Sequence, residues 1–75
     1  MFFVSAFTDR LKELRKAKNV TQANVAEAIN CVEQYYQKIE YGKIKPKYDK
    51  IEQLADFFDV SIDYLLGRSD IPERR

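Results

Sequence analysis

The stretch Thr21–Gly42, TQANVAEAINCVEQYYQKIEYG, dictates how the rest of the 75-residue chain must be arranged. Its spacing predicts a helix from about Gln22 to Ile29, a turn at Asn30-Cys31-Val32, and a second helix from about Glu33 to Tyr41. Thr21 suits an N-cap, because its hydroxyl can accept a backbone N–H that the first turn leaves unpaired. Asn30 and Gly42 stand where each helix must end, and both tolerate a left-handed backbone. Helices this short cannot bury their apolar faces alone. The flanking chain must supply the floor beneath them.

Before the pair, a helix is predicted from about Phe7 to Lys18, capped by Ser5 or Thr8. Phe7, Leu11, Leu14 and Lys18 recur at helical spacing, which makes a narrow inward face. Arg10, Lys12, Arg15, Lys16 and Lys18 make the helix basic, and the positive C-terminal half suits the helix dipole. Residues 1–6 form a separate apolar arm. Phe2, Phe3 and Val4 would pack on the domain, pair with a second copy, or reflect a misplaced start site.

After the pair, Lys43-Ile44-Lys45-Pro46-Lys47 reads as a loop, since Pro46 disfavours helix at Lys45. Tyr48 to Phe58 carries the clearest amphipathic stripe, with Tyr48, Ile51, Leu54, Ala55 and Phe58 as core. Ser61 caps a last short helix, Ile62 to Leu66, which Gly67 ends. Residues 68–75 read as a frayed tail. Five short helices joined by short connections make an all-α domain over residues 7–67.

Composition narrows the function. Hydrophobic residues at 45% suffice for a small core and exclude a disordered chain. No run is long enough to span a bilayer, and MFFVSAF lacks the basic start of a signal peptide. A lone cysteine, Cys31, makes no internal disulfide, so a cytoplasmic location is expected. Residues 1–48 carry nine Lys/Arg against five Asp/Glu, and residues 49–75 four against seven. That asymmetry suits a polyanion-binding face backed by a non-binding one, although chance on a solvated surface would also produce it.

On the predicted third helix Val32, Tyr36, Ile39 and Glu40 share one face. Gln34, Gln37, Lys38 and Tyr41 lie on the opposite arc, with Glu33 and Tyr35 at its edges. The outer arc is rich in hydrogen-bonding groups and poor in the Glu/Lys pairs of a purely solvated helix. It favours a reading surface. An enzyme is not expected. There is no histidine, no glycine-rich phosphate loop and no metal-ligand cluster; Cys31 has no histidine partner; Glu13, Glu27 and Asp56 read as solvated. No cofactor is expected.

The pieces LKELRKAKNVTQANVAEAI, Glu40-x-Gly42, IEQLADFFDVS and IDYLLGRSD, in this order and spacing, resemble the Cro/C1-type (XRE family) helix-turn-helix transcriptional regulators over roughly residues 7–70. The resemblance implies a compact, lambda-repressor-like five-helix domain whose third helix enters the major groove of double-stranded DNA. Glu33, Gln34, Gln37 and Lys38 match base-reading positions. Gln22, Lys43, Lys45 and Lys47 match positions that hold the DNA backbone. Arg15 and Glu40 match an internal salt bridge. The implied protein is a repressor acting as a homodimer on a pseudo-palindromic operator, with Ile62, Tyr64 and Leu65 as the expected dimer surface. A protein co-regulator could also bind, and no membrane is involved.

Departures from the family pattern bear on the target sequence, among them Asn30 where the family often has Gly, and Tyr35 and Tyr41, which are bulky for their positions. Val32 has no oxygen with which to cap the recognition helix. Asn24 stands where Glu commonly completes a capping box. Glu33 places a carboxylate beside phosphates, where it is repelled unless it meets a donor. The alternative reading keeps the fold but makes it a protein-interaction module, antitoxin or antirepressor-like. Glu33, Tyr35, Tyr36 and Tyr41 would then form the contact patch.

Overall fold

Local sequence signals set the helix limits in the computed structural model, which describes residues 5–74. The helices are α1 (Ser5–Lys18), α2 (Gln22–Ala28), α3 (Glu33–Glu40), α4 (Tyr48–Phe58) and α5 (Ile62–Leu65). Among the described residues there is no strand. The expected apolar arm falls partly outside them: Phe2, Phe3 and Val4 are not described, whereas Ser5 and Ala6 belong to α1.

All five helices end in the same way. Asn19, Asn30, Gly42, Asp59 and Gly67 have φ of 59°, 59°, 74°, 55° and 82°. In each case the N–H of that residue donates to the carbonyl three residues back. The next N–H donates to the carbonyl five residues before it, as in Cys31 N to Ala26 O at 3.0 Å and Lys43 N to Lys38 O at 2.8 Å. This left-handed closure satisfies carbonyls that a helix end would otherwise orphan, and it reverses the chain within two residues. Asn30, Gly42 and Gly67 follow the sequence expectation. Asp59 closes α4 in the same way with a weaker sequence signal, because Asp is less tolerant of that conformation than Asn or Gly.

The helix starts are less uniform. Thr21 caps α2, and Asn24 completes a reciprocal box: Thr21 Oγ1 accepts from Asn24 N, and Asn24 Oδ1 accepts from Thr21 N, both at 3.0 Å. Asn24 therefore fills the role expected only of a longer Glu. Ser61 Oγ accepts from Tyr64 N at 3.0 Å and caps α5. Val32 makes no side-chain cap for α3. Thr8 lies inside α1 and is buried, so it is not that helix's cap.

The core is a single cluster fed by every helix. Phe7 and Leu11 come from α1, Val25, Ala26 and Ile29 from α2, Tyr36 and Ile39 from α3, and Leu54, Ala55 and Phe58 from α4. Val60 and Leu65 close it. Lys18 continues the α1 stripe only in part: its ammonium lies over the Phe57 ring, 5.1 Å from the centroid. Two residues expected inside are outside. Val32 is 67% exposed because it precedes α3 in an extended conformation, off the helical phase. Tyr48 is 62% exposed because it begins α4, beyond the layer that the other helices cover. Leu65, expected on a dimer surface, is fully buried in the monomer core.

The C-terminal segment is docked rather than frayed. Arg10 donates from Nη1 to Tyr64 O and, at 2.7 Å, to Ser69 O, and its Nη2 pairs with Asp70 at 3.1 Å. Its guanidinium also lies 4.1 Å over the Tyr64 ring. Ser61 N donates to Pro72 O at 2.9 Å, and Arg74 donates to Ala55 O at 3.1 Å while pairing with Asp56. These partners lie far apart in sequence, so no local pattern announces them.

Gly67 puts the left-handed helix ends to the test. A Cβ there would sit 2.5 Å from Ala6 Cβ, on a backbone at φ +82°. Gly67→Ala should destabilise by about 1–2 kcal/mol from the left-handed conformation alone, lowering the thermal midpoint by several degrees in far-UV circular dichroism. Asp59→Gly, at a left-handed site with an exposed side chain, should be neutral or slightly stabilising.

Candidate nucleic-acid interface

α3 is held from beneath by one ion pair. Arg15 on α1 donates to both carboxylate oxygens of Glu40 on α3, Nε to Oε2 at 2.9 Å and Nη2 to Oε1 at 3.0 Å. Glu40 is 1% exposed and Arg15 partly so. Burial pushes the Glu40 carboxyl upward, but the Arg15 hydrogen bonds and charge outweigh it and hold the group below its ordinary value. The Arg15 guanidinium is correspondingly raised by the Glu40 hydrogen bond. The Tyr36 hydroxyl is buried near the same carboxylate but outside hydrogen-bonding geometry. Burial, then Glu40, raises its pKa and keeps it protonated. The salt bridge that the family resemblance implied is present, and it is bidentate.

A side-chain network rises from this pair to the surface. Gln22 Nε2 donates to Glu40 Oε1 and to the Tyr41 hydroxyl, each at 3.3 Å. Gln37 Nε2 donates to Gln22 Oε1 at 3.2 Å and to Glu33 Oε2 at 3.4 Å. Gln22, expected to meet a phosphate, has its amide nitrogen engaged within the protein. Glu33, expected to suffer beside phosphates, has found an internal donor. Tyr41 is a partner of Gln22 that the sequence does not reveal, since nothing in their spacing links them.

Glu33, Gln34 and Lys38 are exposed on α3, while Gln37 and Tyr35 are half-buried. The following loop alternates. Lys43, Lys45 and Lys47 are exposed, Ile44 is half-buried against the core, and Pro46 is buried. The two apolar residues anchor the loop, so the three ammonium groups project into solvent. α2 is fixed from behind by Lys50, whose Nζ donates to Ile29 O at 2.6 Å and satisfies a carbonyl at the helix end. No sequence signal marks Lys50 for that role. Cys31, in the turn, is half-buried, and burial raises its thiol despite the lowering influence of Lys50. It is a poor nucleophile.

Two short helices crossing at a tight turn, the second displaying polar side chains beside a lysine loop, define a helix-turn-helix of the DNA-reading type. A helix-turn-helix family model matches residues 11–65. The chain belongs to the Cro/C1-type (XRE) helix-turn-helix family of transcriptional regulators. It is 40% identical over 67 residues to the uncharacterised HTH-type transcriptional regulator YobD of Bacillus subtilis, covering 89% of this chain and 60% of that protein. Over 60 residues it is 40% identical to the cryptic phage CTXphi transcriptional repressor RstR of Vibrio cholerae, covering 80% and 54%. Over 65 residues it is 34% identical to the transcriptional activator BcrR of Enterococcus faecalis, covering 87% and 32%. The chain therefore spans about 60% or less of the length of these relatives. No solved structure gives a significant match. Among the described residues no helix is long and apolar enough to cross a membrane.

The ion pair makes two measurable demands. Arg15→Ala leaves the Glu40 carboxylate buried without its counter-ion and should cost about 3 kcal/mol in urea unfolding, a large share of a small domain's stability. Because the folded Glu40 pKa is lowered, its contribution is complete above the ordinary value of 4.5. It is lost as the pH falls through the folded value. Glu40→Gln should flatten that acid limb of the stability profile.

Proposed function

We propose that this protein is a sequence-specific double-stranded-DNA-binding regulator that represses by occupying an operator as a homodimer. The observation that carries the reading is the exposed polar face of α3, with Glu33, Gln34 and Lys38 standing between the α2 contact and the Lys43–Lys47 loop. Lys38 suits guanine O6/N7, and Gln34, with an exposed side chain, suits adenine N6/N7. Lys43, Lys45 and Lys47 supply sequence-independent attraction to the phosphates. Gln22 acts chiefly by positioning α3 from within.

Repression is favoured by the 40% identity to a phage repressor. A dimer is favoured by size. The domain measures 29 × 26 × 21 Å, and half-sites one turn apart are centred roughly 34 Å from each other. Two copies on one face of a duplex are then near neighbours. Ile62 and Tyr64, half-buried on α5, are the parts of the expected dimer surface that remain available. A cytoplasmic location follows from this activity.

Selection from randomised duplexes, followed by a salt series on the enriched site, tests the reading. A two-fold-symmetric site should emerge, with affinity falling steeply as salt rises. Lys38→Ala should relax one base position per half-site. Lys45→Ala should weaken all sites alike and reduce the salt slope by about one for each phosphate it no longer neutralises. An unenriched pool with weak binding at low salt rules the reading out.

A further inference from the structure

A glutamine amide offers a donor from one end and an acceptor from the other, so its orientation decides what it can recognise. At Gln37 that orientation is imposed by neighbours. The chain of constraint starts at Glu40, whose carboxylate is held by Arg15 and can only accept. Gln22 must therefore turn its nitrogen toward Glu40, 3.3 Å away, where the same nitrogen also meets the Tyr41 hydroxyl. This leaves the Gln22 oxygen facing Gln37. It accepts from Gln37 Nε2 at 3.2 Å. Glu33, again an acceptor only, takes the same nitrogen at 3.4 Å. Two acceptors account for both N–H bonds of Gln37. Its amide oxygen makes no hydrogen bond among the described residues.

We propose that Gln37 reads the major groove with its amide oxygen alone, and so selects a base that presents an exocyclic amine there. The inference rests on the DNA-reading function proposed above. Adenine N6 and cytosine N4 are such amines, whereas guanine O6 and thymine O4 are acceptors that would face the Gln37 oxygen unfavourably. A free glutamine would prefer adenine, bonding N6 and N7 together. Gln37 has no spare donor for N7, so it accepts cytosine as readily as adenine. Glu33 is then a positioning residue: its carboxylate accepts the N–H that would otherwise be donated to N7.

The test uses the folded protein and its selected site. Selection with the unaltered protein and with Gln37→Ala should identify one position per half-site where adenine or cytosine is enriched only when Gln37 is present. Purine in place of that adenine, or 2-pyrimidinone in place of that cytosine, removes the amine. This should weaken the unaltered protein about five- to tenfold, the lower part of the range for a base contact, and Gln37→Ala by less than about twofold. The double variant Gln22→Ala/Glu33→Ala, checked for folding by circular dichroism, frees the amide, and guanine or thymine should become tolerated at that position. The inference is overturned if Gln37→Ala relaxes a position that prefers guanine or thymine. It is equally overturned if amine removal affects both proteins alike, or if no position depends on Gln37. In each of those cases an enriched site still upholds DNA reading. A pool with no enriched sequence fails the proposed function and this inference together.

Discussion

The Arg15–Glu40 pair, its carboxylate buried, is the constraint on which the outer face of α3 depends. It joins α1, which forms the floor, to α3 with two hydrogen bonds at 2.9 and 3.0 Å. A buried ion pair is a weak source of net stability, because desolvation offsets most of its attraction. Its contribution here is geometric. The bidentate fork fixes the carboxylate plane, and the filled carboxylate then dictates how Gln22 and Gln37 must point. A hydrophobic pair of equal volume would pack α1 on α3 equally well but would leave those amides free to turn.

Around that pair the domain manages a difficult size. Its helices run from four to fourteen residues, too short to be stable alone. Each is therefore closed at its C-terminus by the same left-handed turn, and the chain returns at once to the shared core. α3 is the exception at its other end. Val32 contributes no side-chain cap, and the start of α3 is secured instead by Tyr36 and Ile39, buried beneath it. Stability of α3 thus comes from packing below and not from capping above.

Charge is divided along the chain in a way that serves both ends. The basic residues of α1 do not all face solvent as a uniform field. Arg15 is committed to Glu40, Arg10 clasps the segment after α5, and Lys18 covers Phe57. The lysines that remain outward on the 43–47 loop are those held there by Ile44 and Pro46. A count of positive charges therefore overstates the attraction available to a phosphate backbone. Their placement decides it.

The sequence by itself determined the five helices, their left-handed ends at Asn30, Gly42 and Gly67, the Thr21 cap and the family. Each of those signals is written within a few neighbouring residues or in the order of short motifs. The Arg15–Glu40 pair was legible only through the family resemblance. Tertiary structure alone decided that Val32 and Tyr48 lie outside and Leu65 inside, because a helical wheel ends where the helix does and cannot count the layers around it. It also decided that Arg10 holds Ser69 and Asp70, that Lys50 closes α2, and that Gln22 and Glu33 turn toward Gln37. The long-range partners among these are brought together by helix crossings, and even Glu33 and Gln37, one turn apart, take their orientation from Gln22. The direction of an amide depends on which acceptors those crossings place beside it.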